Sequence, residues 1–282
     1  MLAVSVPGVH GASAFQSTSE LKTPPSRYAS MSHIAGMQAI LADGWTLTSD
    51  GAAKLESDVE RDPENFAARI RLLSYYTQYI VMPELRSKHL LWLIEHHPDS
   101  DVFQLDTVVT AIVPDYSGVK SPDIEKARAL WLQQAERYAT NAKVLANAVT
   151  VLGASDGNIK LDLLKRLRAL EPQNPEWLEW QAGVYATAVR SSFADGIPRV
   201  RALQNANNNA HFPFNLPVVE SQLLKSELES SSDLDLVGST ADVLLKEIAQ
   251  LKIAVLVPPA DSEIQASEAF AKQLQVRVQQ LK

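Results

Sequence analysis

Histidine is the side chain best suited to proton transfer and metal ligation near neutral pH, and this chain has six. Three of them, His89, His96 and His97, fall in one apolar-rich stretch whose periodicity predicts a helix. At 1.5 Å rise per residue, the step from His89 to His96 is about 10 Å along the axis. That is too far for a shared metal ion, and the adjacent pair His96 and His97 diverges by about 100° around the helix. Two cations near a helix C-terminus, favoured by its partial negative charge, account for His96 and His97 more simply than ligation does. His211 stands apart, beside Phe212 in the Asn-rich run from Asn205 to Pro213, where a ligand contact and a plain polar loop are both open readings.

The remaining candidates are weaker. Ser155-Asp156-Gly157-Asn158 looks like the start of a calcium loop, but the odd-position carboxylates and the closing bidentate Glu are missing, so the stretch reads as a turn and helix cap. Asp233 and Asp235 sit in a Ser-rich run and read as solvating charges. No G-x-S-x-G, H-E-x-x-H or phosphate-cradling glycine loop occurs. Trp92, Trp131, Trp177 and Trp180 could stack on sugars, yet aromatics at helical spacing are usually core. The sequence therefore assigns no catalytic, cofactor-binding or metal residue, and it implies no cofactor.

Composition narrows the class further. The 282 residues are 46% hydrophobic and 21% charged, enough to bury a sizeable core in an ordered chain. A net charge of −7 and the absence of any basic run argue against a nucleic-acid partner, since phosphate neutralisation needs an excess of Lys and Arg on at least one face. With no cysteine, disulfides, thiolate metal sites and cysteine nucleophiles are excluded together. No stretch approaches the roughly 20 apolar residues of a transmembrane helix.

Residues Met1 to Ala14 are small and apolar and end on an A-x-A-like site, but they lack a basic start and are interrupted by Pro7 and Gly8. A disordered terminus and a signal peptide truncated at its front are both open; the second would make the protein exported, the first leaves the compartment undefined. Ser17 to Ser32, with Pro24-Pro25, read as a linker. Residues 1–45 are thus expected to be a flexible segment, with at most a short helix from His33 to Ala42 stopped at Asp43-Gly44, and residues 46–282 an α-helical domain whose C-terminal helices pack on its end.

The elements that would position any site are set by a recurring mark: Asp62-Pro63-Glu64-Asn65, His97-Pro98-Asp99-Ser100 and Glu171-Pro172-Gln173-Asn174, with Tyr138-Ala139-Thr140-Asn141 as a degenerate copy. Proline stops the helix behind it, because it lacks the amide hydrogen and turns the preceding residue away from the α region. Two residues on, Asn or Ser caps the next helix. Between the marks, the spacing predicts helices from Ser49 or Asp50 to Arg61, from Phe66 through Ile80, from Pro83 through Ile94 and from Val102 to Val113. Further helices are expected from Pro122 through Tyr138, from Ala142 to Leu152, from Ile159 to Leu170, from Pro175 through Ala188, from Pro198 to about Asn205 and from Pro217 to Leu228. A loop over Ser230 to Gly238 precedes two last helices bearing Leu244, Ile248, Leu251 and Val255, then Ile264, Ala271, Leu274 and Val278. No segment alternates with period two, so no sheet is expected.

The passage Ala169-Leu170-Glu171-Pro172-Gln173-Asn174 resembles the end of a tetratricopeptide repeat, and Asp62-Pro63-Glu64-Asn65 is similar to it. The resemblance covers roughly residues 50 to 190; the family's first-helix positions are matched in part by Leu178, Ala182 and Tyr185, and less by Leu72 and Tyr75. It implies an all-α helix-hairpin repeat array, a TPR-like α-solenoid, whose concave surface binds a protein or peptide partner without catalysis. The alternatives are an exported helical domain that binds a ligand or glycan through exposed aromatics, and a helical enzyme whose site combines distant acids with His211. On the core reading of the tryptophans, Trp131→Ala should cost about 3 to 5 kcal/mol; a thermal melt superimposing on that of the parent would place the ring at the surface.

Overall fold

Four tetrads decide where the helices turn, and all four are bonded in the same way. The amide of the first residue closes the last turn of the helix behind it, as in Asp62 to the Asp58 carbonyl (2.8 Å), His97 to Leu93 (2.9 Å), Tyr138 to Gln134 (2.8 Å) and Glu171 to Leu167 (2.9 Å). The amide of the fourth residue returns to the carbonyl of the first, in Asn65 to Asp62 (3.1 Å), Ser100 to His97 (3.0 Å), Asn141 to Tyr138 (2.9 Å) and Asn174 to Glu171 (3.1 Å). The side-chain oxygen of that fourth residue then accepts an amide from the first turn ahead. Asn65 takes Ala68 (3.0 Å), Ser100 takes Val102 (3.3 Å), Asn141 takes Lys143 (3.0 Å) and Val144 (3.3 Å), and Asn174 takes Glu176 (3.1 Å). These bonds satisfy donors that a helix start otherwise leaves unpaired. The corner at Tyr138 forms without proline, so the cap, rather than the ring, is the shared element.

The computed structural model describes residues 31–78, 83–105, 108, 122–152, 156–193, 216–254 and 261–282. Eleven α-helices and one 3-10 turn make up their regular structure, with no strand among them. In chain order they are α1 (Met31–Trp45), α2 (Ser49–Arg61), α3 (Phe66–Gln78), α4 (Pro83–His96), the 3-10 turn (Asp101–Gln104), α5 (Pro122–Arg137), α6 (Ala142–Val151), α7 (Gly157–Leu170), α8 (Pro175–Phe193), α9 (Leu216–Ser230), α10 (Leu234–Ala254) and α11 (Asp261–Leu281). Helices adjacent in the chain pack on one another from α2 to α8, save that α1 also lies on α3, and α9, α10 and α11 all pack on α8.

Several expectations are corrected. The first helix does not stop at Asp43-Gly44 but runs on to Trp45, and its Met37 and Leu41 are buried, so packed structure begins on the N-terminal side of residue 46. Thr48, rather than Ser49 or Asp50, caps α2 by accepting the Gly51 amide at 3.1 Å. The helix expected from Val102 opens instead as a 3-10 turn, after which Leu105 takes an extended backbone; Val108 is helical, and the rest of the stretch to Val113 lies outside the described residues, as do Ile80 and the helix and loop placed between Asp195 and Pro213. Asp156 precedes α7 without capping it, because its carboxylate is drawn 2.8 Å from the Arg128 guanidinium instead. Leu170, at the end of the α7 stripe, is exposed. The loop placed over Ser230 to Gly238 shrinks to 231–233, since Asp233 caps α10 by accepting the Leu236 amide at 2.9 Å.

The packing forms one large core, one smaller core and a patch under α2. Ile70 and Leu73 of α3, Leu90, Leu93 and Ile94 of α4, Trp131 of α5 and Leu164 of α7 belong to the first, which closes on Trp177 at the start of α8. Trp131 is completely buried, with the Phe103 ring edge-on at 4.7 Å. The second core holds Ala182, Tyr185 and Val189 of α8 against α9, α10 and α11. One helix thus serves as a wall of both.

The seat of α1 on α3 depends on a missing side chain. Ser74 donates its hydroxyl to the Leu41 carbonyl at 2.7 Å, and a Cβ built on Gly44 would stand 2.6 Å from the Ser74 Cβ and closer still to the Arg71 carbonyl oxygen. Both obstacles sit on or next to backbone, so the helix itself would have to move. Gly44→Ala is expected to cost about 1 to 3 kcal/mol through overpacking, despite alanine's higher helix propensity; chemical denaturation showing a gain in stability would contradict this seating.

Candidate functional site

Burying a charged or hydrogen-bonding group costs several kcal/mol unless it is paired, so polar clusters inside a helical stack are where function is sought first. One such cluster joins α2, α3 and α4. Glu56, on the inner face of α2, accepts from Lys88 Nζ at 2.8 Å on one oxygen, and on the other meets the Tyr76 hydroxyl at 3.1 Å and His89 Nε2 at 2.9 Å. The His89 imidazole is completely buried, parallel to the Tyr76 ring with centroids 6.0 Å apart. Since a carboxylate only accepts, the imidazole proton belongs on Nε2; Nδ1 is buried and has no hydrogen-bond partner among the described residues.

Burial opposes ionisation of Glu56, but its bonds to Lys88 and His89 outweigh that penalty and hold the carboxyl below its ordinary range. For His89 the balance falls the other way: burial pushes the imidazole below its ordinary value, against the pull of Glu56. Burial, and then the neighbouring Glu56 charge, push the Tyr76 phenol up. A carboxylate bonded to one ring nitrogen with the other left bare is chemically a poised base. In this conformation, however, no surface of the ring is open to a substrate.

Beside it, on the next turns of α4, lies a stack of rings capped by one cation. The Arg69 guanidinium sits 4.0 Å from the Trp92 ring centroid, His96 stacks on Trp92 at 4.7 Å, and His97 lies between Trp92 (5.1 Å) and Phe66 (4.8 Å). The helix-end histidines therefore have aromatic neighbours as well as the helix terminus. Among the described residues His89 makes no ring contact with either, though the Arg69 charge acts on it too. His211 and Phe212 lie outside the described residues.

A second polar cluster lines a cleft of about 160 Å³ between α7, α8 and the turn from α9 to α10. Arg168 Nη1 donates to Gln181 Oε1 at 2.9 Å and to Asp233 Oδ2 at 2.8 Å, while Lys165 Nζ lies 3.3 Å from Glu227. Tyr185, at the floor, has its phenol pushed up by burial and by Glu227. Each cation already faces an acid, so the cleft is electrically balanced. Asp233 and Asp235, expected as free solvating charges, are both engaged, the second with Lys282 at 2.8 Å.

The chain matches no protein-family model, no curated protein and no solved structure. Among the described residues no three His, Asp or Glu side chains converge closely enough to hold a metal ion, and no helix is long and apolar enough to cross a membrane. Of the four tryptophans considered as sugar platforms, Trp131 and Trp177 are completely buried, the latter donating Nε1 to Glu171 at 2.9 Å, and Trp92 and Trp180 are half-covered. The exposed one is Trp45, at the end of α1, where no helical stripe draws attention to it.

The sequence pattern does not single out Glu56 or Arg168, and it marks Tyr76 and Tyr185 only as helix-face positions. His89 carries a faint signal, as a polar residue beginning an otherwise apolar run, but its partner lies 33 positions away. The cleft offers a test of which bonds matter. Arg168→Leu, losing a partly exposed bridge, should cost under about 1 kcal/mol, whereas Asp233→Ala, losing the bridge and the α10 cap together, should cost about 1 to 2 kcal/mol. Urea denaturation that ranks the two in the opposite order would assign the cap no weight.

Proposed function

We propose that this protein is a non-enzymatic scaffold of helical repeats that binds a protein or peptide partner. The observation that carries the reading is the four-fold recurrence of one bonded corner, starting at residues 62, 97, 138 and 171 and so separated by 35, 41 and 33 residues. Steps of that size suit helix-pair units, which stack because no single pair can bury its own apolar face. An array of this kind offers an extended surface more readily than a closed pocket, and the cleft that is present has its charges matched internally. The aromatic alternative loses support from the burial of Trp131 and Trp177.

The test begins with affinity capture on the purified chain, followed by titration of the captured species after its own purification. A protease-sensitive ligand should saturate with a micromolar or tighter Kd, and hydrogen exchange should slow along helices between residues 66 and 193. A bound species that survives protease, or protection confined to α9–α11, would favour a different role.

A further inference from the structure

We propose that Glu56 and His89 form a latch that releases α2 from α3 and α4 when His89 takes up a proton. The apolar seat of α2 is small and separate from the large core: Ala52 and Val59 rest on Ala68, Leu72, Tyr75 and Tyr76, with Leu47, Leu55 and Leu85 at the edge. Glu56 adds the polar grip, reaching both α3 and α4.

Protonation disturbs that grip in two ways. First, Nδ1, now a bare acceptor, becomes a buried donor with no group among the described residues to receive its hydrogen, a loss worth a full desolvation penalty. Second, the acids around the ring are already matched by cations. The groups acting on His89 are Glu56 from α2, Arg69 and the neutral Tyr76 from α3, and Lys88 from α4 itself; Glu64 answers Arg69 in turn. α5, also packed on α4, sends Gln134 to the Glu95 carbonyl, and among the described residues no charge of α5 acts on the imidazole. Two carboxylates, Glu56 and Glu64, thus already answer two cations, Arg69 and Lys88, and a charged imidazole adds a third with no acid left for it among the described residues. With the ring completely covered, water reaches it only if the helix above leaves. Departure of α2 also uncovers the apolar face of α3 formed by Ala68, Leu72 and Tyr75.

The sign follows from linkage. Closed His89 holds its proton less tightly than an open imidazole of ordinary value 6.5, so the closed form keeps its full advantage above that pH and loses it progressively below. Glu56 acts in the same direction but only below its ordinary 4.5. The interval between the two values belongs to His89.

Because the chain has no cysteine, spin labels can be placed on Lys54→Cys in α2 and Glu84→Cys in α4, both at exposed positions. Their distance distribution is measured after equilibration at pH 7.5 and pH 5.0. It should be narrow at the higher pH and broaden toward longer distances at the lower, with far-UV circular dichroism nearly unchanged. His89→Gln, which keeps an amide donor for Glu56 but cannot charge, should stay narrow at both. A parent distribution that is narrow at both pH values, or equal broadening in His89→Gln, would overturn the latch. Should His89→Gln not fold, the NMR titration of the His89 ring in the parent decides: a midpoint below 6.5 that coincides with the broadening supports the latch, and one above 6.5 sinks it.

Discussion

Every helix end leaves backbone donors or acceptors without partners, and a stack of short helices multiplies those ends. This chain meets the constraint with one device used four times: a reverse turn whose fourth residue bonds backward through its amide and forward through its side chain. The stop of one helix and the start of the next are thereby the same four residues. With so little chain between them, the two helices have to leave the corner folded back toward each other, and the apolar stripes of neighbours meet without long loops to order.

Other side chains reinforce the corners from outside. Arg69 Nε donates to the Pro63 carbonyl at 2.9 Å, and buried Asn147 of α6 donates to both the Pro98 and Ser100 carbonyls at 2.9 Å while its own oxygen accepts from Gln104. A polar residue at the centre of the packing is tolerable here because its amide hydrogens are both given to backbone carbonyls and its oxygen is bonded to the Gln104 side chain. Lys143 and Asp101 form a further tie at 2.8 Å between the same two elements. The stack is therefore held by apolar burial along its helices and by hydrogen bonds at its turns.

How much of this was legible beforehand follows from the range of each interaction. The corners at Pro63 and Pro172, the starts at Pro83, Ala142 and Pro175 and the burial of Trp131 rest on contacts within one helix or one turn, where spacing is a direct record of geometry. Other departures from expectation have the opposite property. Within the stretch that reads as a turn and helix cap, Asp156 makes no cap bond, and its carboxylate is held by Arg128, 28 residues back. Asp233 reads as a loop charge because its bridge to Arg168, 65 residues away, is not written in its neighbours, although its capping of α10 through Leu236 is local. The helix through Gly44 appeared broken because glycine is a poor helix former in isolation, whereas here its missing side chain is what lets α1 approach α3. The Glu56–His89 cluster was invisible for the same reason: it exists only once three helices are in place.

Because α8 contributes Trp177 to one core and Ala182 to Val189 to the other, its helical phase is shared property. One residue added between those positions would turn all that follows by about 100° relative to all that precedes, and neither side could slip independently to compensate. Changes of length in descendants of this chain must then collect at the corners and connecting segments, leaving the span from Trp177 to Val189 as its least extensible ruler.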